Sequence, residues 1–261
     1  MNRGHESNTM HETERLSHKW RRAIVVSACA VATSLAITLG ALHRPPASPP
    51  NVSRPPESGG NREHLLHRNI SATVFWAGEG STADSGYIPN HASAWRRNWV
   101  EEFGGVDDPD PSKRRGDKPI RFEPLENRYY AALPVGDYNE RGPKSPSELS
   151  KVPGYDGHPL QPGESIIKNR WIKVLYAPVG AEDRTAYVQW EDVGPLNDDD
   201  YEYVFGDKQP AFKKSGIDLS PAAAYYLGID GVGKVNWSFI DADEVPDGPW
   251  KEKVTTSGTS Y

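Results

Sequence analysis

Asp192 offers the sharpest chemistry in this chain because of where its strand puts it. From Thr185 to Asp192 the residues alternate: Ala186, Val188 and Trp190 share one face, and Thr185, Tyr187, Gln189 and Glu191 the other. Period-two alternation assigns Asp192 to the apolar face and Glu191 to the wet one. A carboxylate on a dry face loses solvent, which disfavours its charged form and raises its pKa. A general acid needs that property near neutral pH. Followed by Val193, Gly194 and Pro195, the same residue also suits a turn, where its oxygens accept backbone N–H groups. Both roles are open at this point.

Asp137, Asp218 and His158 are the other candidate catalytic groups. Asp137 follows Gly136 just past the run from Tyr129 to Val135, as a second carboxylate or a turn former. Asp218 stands two residues before Ser220, placed to cap backbone donors or to brace a site. His158 lies in a Gly- and Pro-rich loop, solvated or catalytic. Among the aromatic residues, Tyr130, Trp95 and Trp99 have flat faces that either stack on sugar rings or fill a core.

No metal or cofactor is expected. The acidic run Asn197 to Tyr203 lacks the glycine and terminal glutamate spacing of a calcium loop, and reads as a solvated loop. No zinc spacing, Ser-His-Asp order or phosphate-cradling glycine loop stands out. With a net charge of -6 and no basic stripe, nucleic-acid binding is excluded. Cys29 is the single cysteine, so no intramolecular disulfide braces the fold.

The elements that must position these groups are short strands broken by turn residues. With 23 Pro and 24 Gly, the composition favours a loop-rich β or α+β domain over a helical bundle. Strands are expected in Ser71 to Gly78, Asn127 to Pro134, Arg170 to Pro178, Thr185 to Asp192 and Lys234 to Asp241. A short helix is expected between Ala94 and Phe103, ended by Gly104. Ser220 as N-cap, Pro221 in the first turn and Gly228 at the end define another, with Tyr225 and Leu227 toward the barrel.

Upstream, residues 23–42 are uncharged and long enough to span a bilayer. Arg15, Lys19, Arg21 and Arg22 precede them, against Arg44 and Arg54 after, which orients the N-terminus inward. A cleaved export signal and lipidation at Cys29 are the competing readings. The expected organisation is a cytoplasmic tail (1–22), a transmembrane anchor (23–42), a disordered Pro-rich linker (43–68), an extension packed on the barrel (69–127), the barrel domain (128–245) and a flexible tail (246–261).

Taken in order, Asn169 to Tyr176, Arg184 to Pro195, Ser215 to Ile229 and Gly233 to Asp241 resemble the rare lipoprotein A-like double-psi β-barrel. In that family a strand ends in Asp-Arg-Gly-Pro, Ile-Asp-Leu-Ser opens an alanine-rich helix, and Leu-Gly precedes a closing strand. The matching residues here are Asp192 to Pro195, Ile217 to Ser220, Ala222 to Ala224, and Leu227-Gly228. Two departures stand out. Val193 replaces the family's arginine, and the Thr-Ala-Ala-His segment is absent, with His158 in the comparable stretch.

The resemblance covers roughly residues 128–241 and extends to expansins, family 45 endoglucanases and the membrane-bound lytic transglycosylase A barrel. It implies a mainly β fold, a six-stranded double-psi barrel with one short helix, here joined to the extension and a single transmembrane helix. It implies Asp192 as acid/base in the manner of the lytic transglycosylases. Asp137 occupies a position resembling the endoglucanase base. Peptidoglycan or another cell-wall polysaccharide is the implied partner, met outside the cytoplasm by a domain anchored in the cell membrane. The alternative is an expansin-like glycan-binding or structural envelope module without turnover.

Overall fold

Alternating apolar residues in six strands close them into one barrel. The structure, a computed structural model, describes residues 64–81, 88–139 and 141–260. The barrel strands are β1 (His67–Val74), β2 (Tyr130–Leu133), β3 (Trp171–Tyr176), β4 (Arg184–Val193), β5 (Ile217–Leu219) and β6 (Val232–Ile240). Their order around the barrel is β1-β6-β3-β4-β2-β5, closing back on β1. Two of the pairings, β4 with β2 and β5 with β1, are parallel, and the rest are antiparallel.

Every second residue fills the barrel. Ile70 and Ala72, Ala131 and Leu133, Ile172 and Val174, Ala186, Val188 and Trp190, Ile217 and Leu219, and Val235 and Trp237 form one buried cluster. Each fully buried aliphatic side chain of this kind stabilises the fold by about 1.5–3 kcal/mol. A second cluster lies on the opposite parity of β2. There, Tyr130 and Ala132 meet Phe75, Ala77, Trp99 and Phe103. Trp99 and Phe103 come from helix α1 (Trp99–Phe103), which Gly104 ends at a φ of 102°. Residues 93–103 therefore cover one outer face of the barrel.

Three other short helices follow: α2 (Pro146–Leu149), α3 (Tyr201–Val204) and α4 (Pro221–Leu227). The caps of α4 are as the sequence implies: Ser220 Oγ accepts the Ala223 N–H at 3.2 Å, and Gly228 has a φ of 78°. Leu227 is buried, but Tyr225 points to solvent, because Ala222 to Ala224 supply the packed face.

The expected fold is corrected on several points. The chain is mainly β with a closed six-stranded barrel, and beside the two expected short helices it carries two further α-helices and two 3-10 turns among the described residues. No helix among the described residues is long and apolar enough to cross a membrane, so the transmembrane helix is withdrawn from the fold. Residues 1–63, with the segments 1–22 and 23–42 and Cys29, lie outside the described residues. The barrel begins at His67, not at residue 128, because β1 fills the place between β6 and β5. Nor is 246–261 a loose tail: Trp250 and Thr255 are buried, and Ser260 N–H bonds Trp95 O at 2.9 Å.

Candidate functional site

The face that Asp192 occupies is decided by one extra residue. Along β4, Gln189 pairs with Tyr130 and Trp190 with Ala131, but Asp192 pairs with Ala132. Glu191 is therefore a bulge, two residues standing opposite one. Trp190 and Val193 both pack on the interior cluster, so the two acids between them point out of the barrel. The Trp190 indole Nε1–H donates to Asp192 O at 2.8 Å and holds the bulge closed.

Parity thus put Asp192 on the wrong face. It is only 7% exposed for a different reason, the cover formed by residues 93–103. Ala94 N–H donates to its Oδ1 at 2.7 Å and Val193 N–H at 2.8 Å. No described group bonds Oδ2. Burial pushes the Asp192 carboxyl up to about 7; the two N–H donors oppose this, and the charges of Asp218 and Glu191 add to it.

Asp218 lies in the same row. On β5 it stands opposite Ala132 on one side and Thr73 on the other, which gives the cross-strand sequence Asp192, Ala132, Asp218, Thr73. Directly opposite residues share a face. Two strand spacings put the backbones of the two aspartates about 10 Å apart, with Ala132, itself 1% exposed and part of the second cluster, on the strand between them. Thr73 Oγ1 donates to Asp218 Oδ1, and Ser215 Oγ lies 3.0 Å from the same oxygen. A Cβ on Gly194 would sit 3.7 Å from Asp218 Oδ2 and 3.9 Å from Ala132 Cβ, so Gly194 borders the carboxylate at ordinary contact distance. Asp218 is partly exposed; burial raises its pKa, and the two hydroxyls lower it.

The remaining expected residues are not brought to this row. Asp137 is fully buried and satisfied: Oδ1 accepts Trp95 Nε1–H at 2.6 Å, and Oδ2 accepts Ser165 Oγ–H at 2.6 Å and Ile166 N–H at 2.8 Å. It ties the cover to the loop before β3 and, being fully buried, is out of reach of a substrate. His158 is a surface residue whose Nδ1 lies 3.3 Å from Asp156. Trp95, Trp99 and Tyr130 are all within 1% of full burial and offer no face for stacking on a sugar. Tyr130 Oη donates to Asp107 at 3.0 Å and accepts Ala77 N–H at 3.1 Å.

Glu191, read as solvated, is instead 3% exposed and paired with Lys168 Nζ at 2.7 Å. Its Oε1 has no hydrogen-bond partner. Burial pushes this carboxyl up to about 7 against the pull of Lys168. The signal was present in the spacing: apolar residues at 186, 188 and 190 are followed by one at 193, a step of three where a regular strand needs two. Among the described residues no cluster of His, Cys, Asp or Glu is arranged to hold a metal.

A cavity of about 210 Å³ opens beside Ser215, not beside Asp192. No family model matches this chain, and no curated protein matches it.

Proposed function

We propose that this barrel is of the rare lipoprotein A-like double-psi kind and cleaves a cell-wall glycan, peptidoglycan fitting best, with Asp192 as the acid and base. The row Asp192, Ala132, Asp218 carries this reading. Two carboxylates on one face are what glycoside cleavage uses. With its pKa near 7, Asp192 holds a proton at neutral pH on the oxygen that the backbone donors leave free. That proton goes to the glycosidic oxygen as the bond to the sugar breaks. Asp192 then takes a proton back, from the sugar's own 6-hydroxyl or from water.

Asp218, fixed through Oδ1 by Thr73 and Ser215, has Oδ2 beside Gly194 and faces the positive charge that develops on the ring. Support for the family comes from the order of the motifs, joined to a closed barrel of mixed pairing. A chain with this substrate works outside the cytoplasm.

A second reading rests on the two backbone donors at Asp192. Ala94 and Val193 N–H groups fix Oδ1 as a structural turn would, and the barrel then serves as a scaffold or docking module. Incubation of the purified full-length protein with sacculi separates the readings. Catalysis requires soluble muropeptides by mass spectrometry, with Asp192→Asn lowering the release rate by about 10²–10⁴-fold. Undiminished release from that variant removes Asp192 from the chemistry. Retention on sacculi without products supports docking, and neither result supports a scaffold.

A further inference from the structure

The outer face that carries Asp218 continues along β1 into the cavity beside Ser215. Ser71, two residues and therefore about 7 Å along the strand from Thr73, lies on the same face and pairs with Lys234 of β6. The cavity is lined by Ser71, Ser215, Gly216, Gln209, Lys213 and Lys234, among others, and its volume is about 210 Å³. Drug-sized pockets run to about 300–1,000 Å³, so the space suits a smaller polar unit. Gly216 sets its wall: a Cβ there would lie 2.5 Å from Pro210 Cγ and 2.7 Å from Ile70 Cγ2, so only glycine lets this segment lie against β1. Gly216 N–H bonds Ser71 O at 2.9 Å.

Ser215 links this cavity to the carboxylate row. It is 2% exposed, lines the cavity, and reaches Asp218 Oδ1 at 3.0 Å. The charge at the cavity runs against that of the molecule. On a chain of net charge -6, two lysines flank this space. Lys213 Nζ is held only by Pro210 O at 3.0 Å, and neither lysine forms an ion pair among the described residues. Ser71 and the Gln209 amide add donors to a lining that also holds Ile70, Pro210 and Phe212, which suits an anionic, hydroxyl-bearing group with an apolar face.

We infer that the cavity is a subsite for the carboxylate of an acidic sugar, which Lys213 and Lys234 bind next to Asp218. The inference rests on the glycan-cleaving reading and sharpens it: the polymer must carry a carboxylate on a ring beside the bond that breaks. Lysine acts here as a point charge, so attraction to the carboxylate is screened by salt.

N-acetylmuramic acid and N-acetylglucosamine share a ring and differ by a lactyl carboxylate, so NMR titration of the full-length protein with each isolates that group. Wild type binds the acidic sugar at least fivefold more tightly, and the preference disappears in Lys213→Gln/Lys234→Gln and shrinks from 50 to 500 mM salt. Both lysines are exposed, so the double variant keeps its melting temperature. Equal affinity for the two sugars, or a preference that survives the double substitution, overturns the subsite. Sodium lactate binding as well as the acidic sugar overturns its being a sugar site. Selectivity with no glycan release by wild type keeps the subsite and removes the glycan-cleaving reading.

Discussion

At the scale of the residue, Asp192 is a carboxyl whose surroundings favour its neutral form. Its pKa in the fold is about 7 against an ordinary 3.8, and burial is the largest cause. A raised folded-state value means that the native state binds the proton more tightly than the unfolded chain. The stability from this group is therefore fully present below about pH 4 and is lost as pH rises through 7. Asp192→Asn keeps an oxygen for the Ala94 and Val193 N–H groups and removes the titration. Melting temperatures taken from pH 4 to pH 8.5 should show the variant gaining on wild type as pH rises, by about 2–4 kcal/mol at the alkaline end. A gap that does not change with pH would place Asp192 in a solvated site. Little of this was legible in the sequence. Asp137 was open as a second carboxylate or a turn former, and its partners Trp95 and Ser165 lie 42 and 28 positions away. Only the fold reveals that those donors hold both of its oxygens in a fully buried site.

At the scale of the element, the alternation of β4 and the caps of α4 were legible because each is a local pattern that side-chain chemistry enforces. The bulge was harder to see, since the adjacent pair Glu191-Asp192 mimics an unbroken period of two. Without Glu191, the apolar residues Ala186, Val188, Trp190 and Val193 alternate regularly, and Asp192 still stands opposite Ala132. Deleting Glu191 would leave Lys168 buried with no carboxylate, so the deletion belongs with Lys168→Met. The combined variant should keep a single cooperative melt and near wild-type β-sheet circular dichroism. Deleting Val188 instead slips the rest of the strand by one, turning Trp190 out of the barrel, and should abolish the cooperative transition. If both deletions behave alike, the extra residue is not what turns Asp192 outward.

At the scale of the whole molecule, the cover over Asp192 and the C-terminal segment form one unit. Ser260 N–H bonds Trp95 O at 2.9 Å, and Arg96 bonds Ser257 and pairs with Glu126 at 3.1 Å. Farther back, Gln189 exchanges hydrogen bonds with Thr255 at 2.8 and 2.9 Å, and Ser257 O accepts from Lys168 Nζ at 3.0 Å. The last residues thus strap 93–97 to the barrel while satisfying polar groups buried beneath them. Ending the chain at Lys253 removes the strap and leaves Gln189, Asn127 and Lys168 short of partners, at about 1–3 kcal/mol for each buried group. Each kcal/mol lost lowers the melting temperature by roughly 2–4 °C, so the shortened chain should melt below the full-length protein. Hydrogen exchange distinguishes a general loss of stability from a specific opening. The Ala94 amide, which donates to Asp192, should exchange at least tenfold faster relative to the β3 amides in the shortened chain. If Ala94 and β3 accelerate together, the tail stabilises the barrel as a whole and does not control access to the carboxylate row.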